Sequence, residues 1–230
     1  MPVVSKDNHI TTVMAIFPTE PEWQQGLVDT IRDFITAAMC PASERGKPQP
    51  GFISSTIHRS LDGLRVINYA QWKSQEEYFA FIKNADVKVK AAKLSEFPKP
   101  DLHLYEIFIS EPGGSEIELS TETEGLINFG IFKMKKPENQ ARFVELAKEA
   151  VDMVAGQPGL ISTHFHRSIA GEGARCVNYG LWKTQAEYAA MVDDPPFVGP
   201  IVEMLELAEN EFQKSLYKIV FTESVPFGTG

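Results

Sequence analysis

Two cysteines in 230 residues, Cys40 and Cys176, are too few for a disulfide framework. Neither has the companion thiols or imidazoles of a structural metal site, so both read as free thiols. Positive charge is also scarce. The 22 Lys and Arg face 31 Asp and Glu, giving a formal net charge of −9 and a pI near 5.1. Nucleic acid and anionic membrane reward clustered cations, so neither is an expected partner. No run of about 18 apolar residues exists and no charged-then-apolar leader follows Met1, which makes a soluble, cytoplasmic protein the expectation. A Gly-x-Gly-x-x-Gly turn after a strand, a Walker loop, a His-Glu-x-x-His helix and a Gly-x-Ser-x-Gly elbow are all missing. Their absence removes the commonest nucleotide-binding, zinc-hydrolase and serine-hydrolase readings.

What the chain does contain is a repeat. Residues 50–78, PGFISSTIHRSLDGLRVINYAQWKSQEEY, return over 158–188 as PGLISTHFHRSIAGEGARCVNYGLWKTQAEY. His58 recurs at His166, an offset of 108, whereas Asn68 recurs at Asn178, an offset of 110. The second copy therefore carries two extra residues in its hairpin. The chain divides into a first unit over 1–112, an acidic, glycine-containing linker over 113–125, and a second unit over 126–230. Met1 to Asn8 reads as a loose arm.

Periodicity gives each unit the same element order. In the first, a strand over 9–17 precedes a helix with Trp23, Leu27, Ile31, Phe34 and Ala38 on its apolar face. Thr19 is placed to cap that helix. A breaker-rich loop over 39–50 leads into strands over 51–59 and 65–72, joined by an Asp-Gly turn. Ser74 and Glu77 form a capping box for the next helix. A second helical piece over 86–97 and a strand over 102–109 complete the unit. The second unit repeats this with strands over 126–132, 160–168, 175–182 and 216–221. Its helices run over 137–155 and from 184 to 212, the latter interrupted at 193–196. The class is α+β: two ferredoxin-like β-α-β-β-α-β repeats, each a four-stranded antiparallel sheet with helices on one face. Packing the two bare sheet faces together would give an intramolecular dimeric α+β barrel.

Side chains alternate along a strand, so Asn68, Ala70 and Trp72 share a face, as do Asn178, Gly180 and Trp182. A small residue between an amide and an indole predicts a slot for a flat ligand, here expected between the two stacked sheets. His58 and His166, at the end of the preceding strand, are candidate general bases because imidazole titrates near neutral pH. His164, Arg59, Arg167, Tyr78 and Tyr188 are candidate substrate contacts. Each has a plainer alternative. A strand Trp is ordinarily core, Asn can tie down a loop, and a strand-end His can bond backbone. Arg59 and Arg167 can be solvated, and Tyr78 and Tyr188 can simply pack helix on sheet. No carboxylate accompanies His164 and His166 on their strand, so a metal is not expected.

The Asn-Tyr-x-x-Trp-Lys strand, entered from Pro-Gly-hydrophobic-x-Ser and followed by Glu-Tyr on a helix, resembles the antibiotic biosynthesis monooxygenase family, twice over nearly the whole chain. That resemblance implies the barrel just described and O2 as co-substrate with an aromatic polyketide. It also implies no metal, and catalysis by the Asn and Trp four residues apart, with a Tyr six residues further on. Those positions are Asn68, Trp72 and Tyr78, and Asn178, Trp182 and Tyr188. The fused form is similar to angucycline ring-opening oxygenases of the jadomycin, gilvocarcin and kinamycin types. For that form the resemblance implies cleavage of a ring C–C bond with reduced flavin (FADH2 or FMNH2) from a separate flavin reductase; a homodimer of the whole chain is left open. The heme-degrading branch needs a His on the helix after the Trp, and residues 78–93 and 188–208 contain none. Cofactor-free oxidation of an anthrone to a quinone, and a non-catalytic module that binds aromatic polyketides, are the alternatives.

Overall fold

The structure, a computed structural model, describes residues 2–4, 10–39, 48–111, 116–171, 173–193, 198–211 and 215–225. Cys40, most of the 39–50 loop and most of the expected break at 193–196 lie outside them. The first unit runs β1 (Val3–Val4), β2 (Thr11–Pro18), α1 (Gln24–Ala38), β3 (Phe52–Ser60), β4 (Arg65–Trp72), α2 (Gln75–Lys83), α3 (Ala85–Lys90) and β5 (Asp101–Glu111). After β6 (Ile117–Glu118) come β7 (Leu126–Met134), α4 (Asn139–Val154), β8 (Leu160–Gly171), β9 (Arg175–Trp182), α5 (Gln185–Asp193), α6 (Val198–Leu207), β10 (Ala208–Glu211) and β11 (Leu216–Ser224).

Within the first unit the antiparallel sheet order is β3-β4-β2-β5, and in the second it is β8-β9-β7-β11. The last strand of each unit then pairs with the hairpin of the other: β5 with β8, and β11 with β3. These two exchanges close eight strands into a barrel, which leaves no long sheet edge exposed. The inner faces form one core, built from Met14, Ile16, Ile67 and Tyr69 of one unit against Phe129, Ile131, Val177 and Tyr179 of the other. The outer faces pack under helices as separate clusters. Among the described residues no helix is long and apolar enough to cross a membrane.

Polar pairs cross the barrel interior. His58 Nε2 lies 3.0 Å from the Tyr179 hydroxyl, and His166 Nε2 lies 3.0 Å from the Tyr69 hydroxyl. His166 Nδ1 is 3.1 Å from the His164 carbonyl, so it carries the proton, and the Tyr69 hydroxyl donates to Nε2. Both pairs join one unit to the other. Removing a phenol would leave a buried imidazole nitrogen unpaired, at a cost of about 1–3 kcal/mol.

Several sequence expectations change. Val4 and Leu119 are fully buried in the inner core, and β1 pairs with β6, so the arm and the linker together cover one end of the barrel. The Gln71 side chain anchors this cover by donating to the Val3 carbonyl at 2.8 Å. Helix α1 begins after Trp23, which is 63% exposed rather than core. Thr19 does not cap it: the helix starts only at Gln24, and the Thr19 hydroxyl donates to the Glu20 carbonyl at 3.3 Å. Cys176 is a buried free thiol, pushed up to about 12 by burial, and so is a poor nucleophile. The repeated Pro-Gly has a steric cause. Gly51 and Gly159 sit at φ of 76° and 81°, and a Cβ at either would overlap the capping Glu77 or Glu187.

Burial lowers His58 and His166 to about 3 and His164 to about 4. All three are neutral in the fold and titrate near 6.5 once unfolded. Their contribution is fully present above pH 6.5 and is lost as pH falls toward 4, at up to about 1.4 kcal/mol per pH unit for each group. Urea unfolding should therefore show stability falling steeply between pH 6.5 and 4.5, with His164→Asn reducing the slope by about one proton. A flat profile over that range would contradict the buried placement.

Candidate active site

Cross-strand partners point to the same face, and pairing registers locate every candidate. Asn68 lies opposite Ile57, and His58 opposite Ile67. Asn178 lies opposite Phe165, and His166 opposite Val177. The amides and indoles thus face outward, under the helices, while the histidines face into the barrel. The expected slot between stacked sheets is accordingly replaced by two cavities, one per unit, between sheet and helices.

The first cavity, about 650 Å³, is lined by Asn68, Ala70 and Trp72 of β4, Val13 and Ala15 of β2, Tyr78 and Phe81 of α2, and side chains of α1 and α3. The second, about 280 Å³, is lined by Asn178 and Trp182 of β9, Asn128 and Gly130 of β7, Tyr188 of α5, Asn210 of β10, and side chains of α4 and α6. His58, His164, His166, Arg59 and Arg167 line neither. His164 bonds Ser110 at 3.0 Å inside the barrel, Arg167 pairs with Glu106 at 2.6 Å on the surface, and Arg59 reaches Gln25 at 3.5 Å. The sequence kept His58 and Asn68 together because each strand offered a polar face. It could not show that those faces belong to opposite sides of the sheet.

Two hydroxyls that the motif reading passed over orient the amides. Ser55 Oγ donates to Asn68 Oδ1 at 2.6 Å, and Thr163 Oγ1 donates to Asn178 Oδ1 at 2.6 Å. Each amide oxygen is engaged, and the NH2 group is the part left to donate into the cavity. Ser55 and Thr163 are equivalent in the repeat, so a hydroxyl at both positions was the available signal. Each indole packs edge-on against its Tyr: Trp72–Tyr78 at 5.7 Å and Trp182–Tyr188 at 5.5 Å between ring centres. Burial pushes Tyr78 and Tyr188 up to about 12, which keeps both phenols protonated at neutral pH. Among the described residues no three His, Cys, Asp or Glu side chains converge as a metal site.

The second cavity differs where β7 passes under Gly180. Asn128 lies opposite Gly180, and its Oδ1 accepts the Trp182 indole N–H at 3.0 Å. A Cβ at Gly180 would overlap that same oxygen. The corresponding pair in the first unit is Val13 opposite Ala70.

Fold and cavities together define a dimeric α+β barrel condensed into one chain, with an amide–indole pocket on the outer face of each sheet. Residues 130–198 match the family described as "Antibiotic biosynthesis monooxygenase". Tetracenomycin-F1 monooxygenase of Streptomyces glaucescens is 34% identical over 80 residues, which is 35% of this chain and 65% of that protein, just under two thirds of its length. A crystal structure titled as an anthrone oxidase-like protein superposes with a TM-score of 0.84 at 21% identity, covering 97% of this chain and 96% of its own. A Fusobacterium nucleatum structure reaches 0.61 at 12% identity over 94% of each chain. These superpositions establish a shared fold. The chain carries an antibiotic biosynthesis monooxygenase domain in its second unit, and its first unit repeats the same motif.

Gly180→Ala should destabilise the protein by about 1–3 kcal/mol through overpacking against Asn128. Ala70→Gly should cost only about 0.5–1 kcal/mol. In urea unfolding, adding Asn128→Val to Gly180→Ala should recover much of the loss, since contacting residues couple. Additive losses in the double variant would contradict this packing.

Proposed function

We propose that this chain is an oxygenase that uses O2 to oxidise a phenolic or anthrone ring of a polycyclic aromatic polyketide. The observation that carries this reading is the pinned amide. With Oδ1 held by Ser55 or Thr163, Asn68 or Asn178 presents N–H to a cavity walled by an indole and a protonated phenol. Such a preorganised donor stabilises an enolate or phenolate oxygen as it develops. Flat apolar walls suit fused rings, and the covering helices shield one side of the cavity from water. The family match and the tetracenomycin-F1 monooxygenase relative support the same chemistry.

Dioxygen is a triplet and needs an electron first, which a deprotonated anthrone or phenol supplies readily. Electron transfer gives a substrate radical and superoxide, and their combination gives a peroxide. Loss of water from an anthrone peroxide leaves the quinone: the ring carbon gains one oxygen and loses two hydrogens, and the second oxygen departs as water. Migration of a ring carbon onto the peroxide would instead break a C–C bond, the outcome implied for angucyclinones. The relative is named a monooxygenase, and monooxygenation of an anthrone to the quinone is the first substrate test. His58 and His166 lie behind the sheet, so proton loss is assigned to ionisation of the amide-stabilised substrate itself. Lys88, Ser95 and Lys99 line the first cavity and are the donors available to a flavin's phosphate, whereas no cation is among the described residues lining the second. No step is routed through it, and it enters only as a diffusible reductant that an assay adds or withholds.

O2 uptake with an anthrone substrate should fall at least about 100-fold in the Asn68→Ala/Asn178→Ala double variant, the usual cost of losing an oxyanion donor. The wild-type rate should rise with pH along the substrate's own ionisation, without an inflection near 6.5. Unchanged turnover in the double variant would remove the mechanism. Tight binding without turnover in wild type, with and without reduced flavin, would favour a non-catalytic binding module.

A further inference from the structure

We infer that the two cavities have separate roles: the first binds the flat ligand, with the Trp72 indole N–H as a specificity-determining donor, while the second is narrowed by its own Asn128. This rests on the reading of the amide–indole pockets as ligand sites. Trp72 is fully buried, and its Nε1 has no hydrogen-bond partner among the described residues. A buried, unpaired N–H is costly unless a bound group completes it. The equivalent atom of Trp182 is satisfied internally by Asn128. Strand register explains the difference. Thr11 pairs with Trp72 and Leu126 with Trp182, so two residues further along β2 and β7 the chain places Val13 in one unit and Asn128 in the other. Valine has no acceptor to offer.

Space follows the same division. The first cavity, at about 650 Å³, falls within the usual range for a multi-ring ligand, while the second, at about 280 Å³, falls just below it. Gly180 is not a floor left clear for a ligand, since Asn128 occupies the room that its missing side chain provides. In the first unit Ala70 faces Val13, and the floor between Asn68 and Trp72 is apolar. Asn68 and Trp72 line the same cavity and each keeps an N–H to donate, so the ligand class is a planar polycycle that offers acceptor oxygens to both.

The test is calorimetric titration with dihydroxyanthraquinone, a planar ring system with edge oxygens that is already at the quinone level and is not oxidised in the assay. Wild type should bind one equivalent. Trp72→Phe should weaken binding about tenfold with thermal stability monitored alongside. Val13→Asn/Ala70→Gly should abolish binding, and Asn128→Val/Gly180→Ala should raise the stoichiometry to two. Two equivalents in wild type, no binding in wild type, or full affinity in Trp72→Phe would each overturn the assignment. Quinone binding of the expected pattern without anthrone turnover would defeat the oxygenase reading and leave this assignment standing. Undiminished anthrone turnover in Val13→Asn/Ala70→Gly would do the reverse.

Discussion

The pairing of β5 with β8 and of β11 with β3 is the constraint on which the remaining structure depends. Each unit gives its last strand to the other's hairpin, so neither sheet is complete alone. Closure fixes which face of every strand is inside. Met14, Tyr69, Phe129 and Tyr179 go inward, and the helices are left to cover the faces that carry Asn68, Trp72, Asn178 and Trp182. The pockets exist because helices cover a twisted sheet less completely than a second sheet does. The cavities are thereby confined to the periphery, and the centre is given over to packing.

That centre explains the histidines. A neutral imidazole held at about 3 by burial is a poor base, and its hydrogen bond to a phenol of the other unit is a registration device. Two such pairs, related by the internal repeat, resist sliding of one unit on the other, because a one-residue slip would separate all four groups. A polar pair in a core has this use when one arrangement joins its partners, as in His166, whose two ring nitrogens meet the Tyr69 hydroxyl and the His164 carbonyl.

Much of the fold was legible because the repeat doubled every signal. The element order and the Asp-Gly hairpin follow from spacing, and the structure places them where periodicity does. The sidedness of the strands was not legible. Both faces of β4 are apolar or aromatic, so alternation sorted its residues into two sets without saying which set faced the helices. Register shifts between Phe52 and Ser54, and between Leu160 and Ser162, then set which hairpin partners share a side. Ser55 and Thr163 escaped notice for the same reason. The arm and linker were misread because Val3–Val4 and Ile117–Leu119 are too short to show a period.

Covalent fusion has an evolutionary consequence. When two identical subunits build such a barrel, any substitution appears twice, and a change that spoils one pocket spoils its mate. Joining the copies frees each gene segment to drift by itself. The contrast between Val13 with Ala70 and Asn128 with Gly180 is the kind of broken symmetry that only a heterologous pair, or a single chain, is able to inherit.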